Sequence, residues 1–200
     1  MTGSPPEPAG YRPSGVEERL VAATERIAQA IRVMRGAAAY AAAISPAQLS
    51  LLEILERAPA HRRRVSALAA ELDLTPATVS DAVSALRRKK LAMSVTLAGR
   101  GHRLDLTDEG RDVLRRTQGW AAPLAASFAA RPPEQQEAAL ATLLDVIADL
   151  QRTGVVTVAR MCTTCRFFDR SGPVPRCALV DVPLPPAALR VDCPEHESVA

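Results

Sequence analysis

The sequence predicts a mainly α chain: a winged helix-turn-helix with flanking dimerisation helices and a small irregular cysteine-rich C-terminal segment. Three observations predict it. Apolar residues recur at helical spacing across most of the first 153 residues. The period switches to that of strands between Leu91 and Thr107. All four cysteines fall in the last 39 residues, and the first 161 have none.

The elements follow in order. Met1 to Pro13 carries four prolines and reads as a disordered tail. Ser14-Gly-Val-Glu17 is a capping box that starts a helix. Val16, Leu20, Ile27, Ile31 and Met34 line one face of it as far as about Gly36, and the alanine run to Ala43 extends it with little apolar bulk. Ser45-Pro46 is a second start, a cap followed by proline at the first helical position, with Leu49, Leu52 and Leu55 facing inward. Pro59 and His61-Arg-Arg-Arg64 break that helix. Val65 to Leu72 is a short third helix, Asp73-Leu74 a tight connector, and Thr75-Pro76 opens a fourth whose Val79, Val83 and Leu86 point inward. Arg87-Arg-Lys-Lys90 places cations at its C-terminus, where the helix dipole favours them.

Leu91 to Leu97 and Arg103 to Thr107 read as two short strands around a glycine-bearing tip, Ala98 to His102. Thr107 caps a long helix that Pro123 kinks. Pro132-Pro133 begins the last helix, where Leu140, Leu143, Leu144, Ile147 and Leu150 form one stripe and Gly154 stops it. The resulting division is 1–13 tail, 14–44 N-terminal dimerisation helix, 45–107 winged helix-turn-helix, 108–154 C-terminal dimerisation helices, and 155–200 cysteine-rich metal-binding extension. The terminal helices are amphipathic and lie at opposite ends of the chain. Their stripes are covered either by a two-fold mate or by each other within one monomer.

Composition narrows the function. With 48% hydrophobic and 24% charged residues, the chain has enough apolar side chain to build a core. Its best apolar run, Gly36 to Ile44, is less than half of what a bilayer needs, and the N-terminus lacks the basic start and apolar core of a signal peptide. A cytoplasmic, nucleoid-associated protein with no membrane partner is therefore expected. Aromatics at 3% argue against a base-stacking RNA binder. No nucleophile–base pair, glycine-rich phosphate loop or acid beside an open metal position is evident, so no enzyme is expected.

The formal charge is only +3, but it is segregated. Between His61 and Arg103 nine Lys/Arg stand against three acids, a local excess of six, which leaves the remainder near −3. Clustered cations that neutralise phosphates release condensed counterions, the main source of affinity for duplex DNA.

Three stretches carry a family resemblance: Ser66-Ala-Leu-Ala-Ala-Glu-Leu-Asp-Leu-Thr-Pro-Ala-Thr-Val-Ser80, Leu86-Arg-Arg-Lys-Lys-Leu91, and Arg103-Leu-Asp-Leu-Thr-Asp-Glu-Gly110. With their flanking helices they resemble a MarR-type winged-helix regulator over about residues 15–153. The resemblance implies a homodimer built from the terminal helices that reads a palindromic operator in double-stranded DNA. It also implies modulation by a small-molecule effector, an oxidant or a metal. Thr75 to Lys89 would be the recognition helix. Thr75, Ala77, Thr78, Ser80, Asp81 and Ser84 would face the groove, and Arg63, Arg64, Arg88 and Lys89 the phosphates. Arg100 and Arg103 sit where wing arginines belong. Three departures stand out. Asp81 replaces an arginine, Ala98 replaces an acid at the wing tip, and Lys90 replaces the glycine before Leu91. Asp81 favours an alternative, a protein-interaction adaptor whose winged helix no longer reads DNA.

The tail has its own chemistry. Cys162 and Cys165 form a C-x₂-C pair, followed by Cys177 and Cys193, with His196 as a substitute ligand. Four sulfurs complete a tetrahedron around zinc. Zinc has the better base rate at such sites; flanking phenylalanines and the terminal Cys-Pro would also suit an iron–sulfur cluster, the alternative, and metal-free redox thiols come third. A segment with so little apolar bulk gains its stability from bound metal.

Overall fold

The computed structural model describes residues 15–97 and 101–199. Ser14, expected as a helix cap, and Ala98 and Arg100 at the wing tip lie outside them. Gly15 is the N-cap of α1 (Val16–Ala41). The chain then turns through 87° into α2 (Pro46–Arg57), whose Ser45–Gln48 capping box satisfies both partners at 3.2 Å. No single helix among the described residues is long and apolar enough to cross a membrane.

A 3-10 turn at Ala60–Arg62 leads to α3 (Val65–Glu71). Asp73, with φ of 49°, makes the turn into α4 (Pro76–Arg88). Thr75 caps α4 by accepting from the Thr78 amide at 3.2 Å. A Schellman motif closes the helix: Leu91 donates to the Leu86 carbonyl and Lys90 to that of Arg87, each at 2.9 Å. Lys90 occupies the left-handed position of that motif, with φ of 58°, where glycine is free of Cβ strain and lysine is not.

The hairpin pairs β1 (Ala92–Leu97) with β2 (Gly101–Leu106) antiparallel, from Ala92↔Leu106 to Leu97↔Gly101. A backbone bond from Leu104 to Arg63 at 2.8 Å fastens β2 to the residue before Arg64, at the N-cap position of α3. Thr107 caps α5 (Asp108–Thr117) and also donates to the Lys90 carbonyl at 2.6 Å. The start of α5 lies so close to β1 that a Cβ on Gly110 would stand 2.1 Å from the Leu91 carbonyl oxygen. The expected long kinked helix is instead two helices. α5 ends at Thr117, Gly119 turns with φ of 83°, and α6 (Ala122–Ala129) begins afresh. Pro123 sits in the first turn of α6, where its missing N–H costs nothing, so it starts a helix rather than bending one.

The main core joins Leu49, Leu52 and Leu55 of α2, Leu68 of α3, Val79, Val83 and Leu86 of α4, Leu104 and Leu106 of β2, and Val113 of α5. A second, small core lies elsewhere. In α7 (Pro133–Arg152), Leu144 packs with Ala159 and Met161, and Leu140, Ile147 and Leu189 lie against them. The single stripe expected on α7 is therefore divided. Leu140, Leu144 and Ile147 face the C-terminal segment, whereas Leu143 and Leu150 remain exposed with Val146.

The C-terminal segment forms a three-stranded antiparallel sheet of two-residue strands, β3 (Phe168–Asp169), β4 (Arg176–Cys177) and β5 (Val182–Pro183). Strands so short leave no periodicity in sequence, which is why the segment reads as irregular.

Candidate nucleic-acid interface

The physical basis of the candidate surface is the division of α4 into two faces. Val79, Val83 and Leu86 are buried in the main core. Thr75, Ala77, Thr78, Ser80, Asp81 and Ser84 are all exposed on the other side. Arg87, Arg88 and Lys90 are exposed at its C-terminal end. Together with Ser84, Met93, Ser94 and Thr107 they line a groove between α4 and the hairpin. Arg87, Lys90 and Ser94 were not among the predicted contact residues, although the Arg87-Arg-Lys-Lys90 run carried the signal for two of them.

Several predicted phosphate contacts have other partners. Arg63 points into the protein, where its Nε donates to the Ala58 carbonyl and its guanidinium to Asp105 Oδ1, each at 2.7 Å. Arg103 Nε donates to the second Asp105 oxygen at 3.0 Å. Burial alone would raise the Asp105 carboxyl, but the hydrogen bonds and charges of Arg63 and Arg103 outweigh it and hold it below the ordinary value. These three residues lock the α2–α3 connection to the hairpin. Lys89 Nζ donates to the Ala43 carbonyl at 2.6 Å, tying the end of α4 to the α1–α2 corner. Arg64 stands at the N-cap position of α3 without a capping side-chain hydrogen bond and is exposed.

The four cysteines, 31 residues apart from first to last, line one cavity of about 230 Å³. None of them is in a disulfide. Phe167, Phe168, Val182 and Leu184 form much of its apolar wall. The Arg190 amide donates to Cys162 Sγ at 3.2 Å. Burial pushes the Cys162 thiol up; the Arg190 amide opposes this and the other three thiols add to it. His196 does not line the cavity: its Nε2 lies 3.0 Å from Thr164 Oγ1. Burial lowers its pKa, with smaller contributions from Arg160 and Arg62, against a backbone hydrogen bond with Thr164 and the charge of Asp192.

The cysteine segment is docked on the helix-turn-helix. Arg160 pairs with Glu71 at the end of α3, and the Thr157 amide donates to Asp73 Oδ1 at 3.3 Å in the turn before α4. Arg57 at the end of α2 lies 3.0 Å from Asp192. Arg62 is drawn into the same cluster. Its Nε is buried without a partner among the described residues, and burial and Arg160 lower its pKa.

No protein-family model matches the chain, and no curated protein does. Solved structures do match. A MarR family transcriptional regulator from Streptomyces coelicolor, solved in complex with DNA, is 28% identical with a TM-score of 0.57, over 72% of this chain and 94% of that one. A MarR family transcriptional regulator from Silicibacter pomeroyi is 24% identical with a TM-score of 0.59, over 68% and 92%. The M. tuberculosis transcriptional regulator MosR is 21% identical with a TM-score of 0.50, over 68% and 94%. The fold is that of the MarR-type winged-helix regulators.

Proposed function

We propose that the chain is a DNA-binding transcriptional regulator of the MarR type, a homodimer on a palindromic operator, with a cysteine-ligated metal centre in its C-terminal segment. The observation that carries the reading is the two-faced α4. Its apolar residues are spent on the core, so its small polar residues are left outward beside Arg87, Arg88 and Lys90. A helix of this kind reads base edges in the major groove while the cations at its end grip phosphates. The relative from Streptomyces coelicolor was solved on DNA, which supports the same partner here.

The dimer is supported by the terminal helices. Val16, Leu20, Val21 and Ile27 of α1 and Leu143, Val146 and Leu150 of α7 are exposed in one chain. A two-fold mate covers such faces and matches the symmetry of a palindrome. Zinc and an iron–sulfur cluster are the candidate occupants of the four-cysteine site. A small-molecule effector and cytoplasmic action belong to the same reading.

A gel-shift titration against a pool of duplexes, repeated at rising salt, tests it. A regulator selects a palindrome and loses affinity steeply, by about 0.9 log units per log unit of salt for each phosphate neutralised. Asp81, exposed on the same face of α4, favours a second reading as a protein-interaction adaptor. An adaptor selects no sequence in this assay.

A further inference from the structure

We propose that the cavity between Cys162, Cys165, Cys177 and Cys193 binds a cubane four-iron–four-sulfur cluster, with one thiolate on each iron. This deepens the metal-centre part of the reading above and rests on it, but it does not depend on DNA binding.

The first argument is size. A single tetrahedral ion holds its sulfurs at about 2.3 Å and so draws them to within about 3.8 Å of one another. All four cysteines line one cavity of about 230 Å³, which has room for a centre of several atoms. A cubane takes one cysteine on each of its four iron corners and occupies the middle itself.

The second argument is how the thiols are held. Cys162 and Cys165 share one 3-10 turn, where the Cys165 amide donates to the Cys162 carbonyl at 3.1 Å, and backbone contacts hold all four positions. The Cys162 amide donates to the Arg190 carbonyl at 3.1 Å and the Cys193 amide to that of Arg160 at 2.8 Å. Cys177 is paired with Phe168 across β3 and β4, and Cys165 bridges to Ser198. Backbone contacts thus hold all four cysteines on the wall of one cavity.

The third argument is the wall. Leu184 is buried and Phe167 and Phe168 are partly buried along it, and the Arg190 amide already donates to a ligand sulfur, as the outer shell of an iron–sulfur site does. The two-residue strands have almost no core of their own, so a cluster at their centre supplies the missing cohesion. Two ferrous ions, two ferric ions and four sulfides, all taken up from solution, make a core of charge +2; ligation converts four thiols to thiolates and releases four protons.

The test uses the full-length protein. It is incubated anaerobically with equal amounts of ferrous and ferric iron and with sulfide, and separately with zinc, then desalted and analysed. The expected result is about four irons and four sulfides per chain with broad visible absorption. Cys177→Ser and Cys193→Ser should each lose most of it. His196→Ala should keep it, since His196 is engaged by Thr164. If the serine variants do not fold, the stoichiometry of the unaltered chain still decides. Two irons per chain, one tightly held zinc with iron refused, or no retained metal would each overturn the proposal. The same loaded sample is taken into the gel shift. A brown protein that ignores DNA overturns the regulator reading and leaves the cluster standing; a colourless zinc protein that selects a palindrome does the reverse.

Discussion

Glu71, the last residue of α3, is ion-paired with Arg160 of the C-terminal segment, and both side chains are less than a fifth exposed. The pair joins the helix-turn-helix to the cysteine segment at a place where three arginines, 57, 62 and 160, meet two carboxylates, Glu71 and Asp192. Removing either acid leaves the arginines facing one another.

Glu71→Gln therefore loosens the docking. A half-buried charge pair broken on one side costs about 1.5–3 kcal/mol, which is at least a tenfold rise in the open population. Limited proteolysis should cut between residues 155 and 165 about tenfold faster, while far-UV circular dichroism stays near that of the parent. Asp192→Asn, at the more exposed pair with Arg57, should change the rate only a few-fold. Equal rates in parent and Glu71→Gln would show that the pair does not hold the segment down.

Asp105→Asn tests the lock between the α2–α3 connection and the hairpin. The change should cost about 1–2 kcal/mol at pH 7 in urea unfolding, because Arg63 and Arg103 lose a charged acceptor. The folded carboxyl titrates below its ordinary value of 3.8. Its contribution is complete above about pH 4 and fades as acid protonates it through that lowered value. The difference between parent and variant should then close at low pH, and a difference that persists there would assign the effect to shape rather than charge.

Lys90→Gly should stabilise the fold by about 0.5–1 kcal/mol, since glycine relieves the left-handed strain at the end of α4 while adding freedom to the unfolded chain. In the gel shift it should weaken binding and reduce the salt slope by about 0.9, the signature of one lost phosphate contact. Arg88→Ala should give the same change of slope without the gain in stability. Lys89→Met should do the opposite, lowering stability through the lost bond to Ala43 and leaving the slope nearly intact.

Val146→Glu places a charge on the exposed side of α7, away from Leu144 and Ile147. Sedimentation should move from dimer to monomer, with helix content preserved because the opposite face still packs on the C-terminal segment. A dimer that survives this substitution and Leu143→Glu would put the subunit contact elsewhere.

The parts legible in sequence were those written in local patterns. Val79, Val83 and Leu86 at helical spacing set the buried face of α4, Thr75-Pro76 marked its start, and alternation marked the hairpin. The cysteines announced their own cluster by density. What escaped was long-range pairing. Arg63 looks like any cation of a basic run until Asp105, 42 residues away, accepts from it. Nothing near Glu71 or Arg57 in sequence points to Arg160 or Asp192. Pro123 carries the same letter whether it bends a helix or begins one, and only the turn at Gly119 distinguishes the two.

α7 leans on the cysteine segment with one flank and holds the other free. A rod gripped along two sides cannot roll toward one neighbour without dragging at the next. Should a second subunit sit on that free flank, the state of the sulfur-lined chamber would be felt as a change in the separation of the paired reading heads, with no messenger beyond the helix itself.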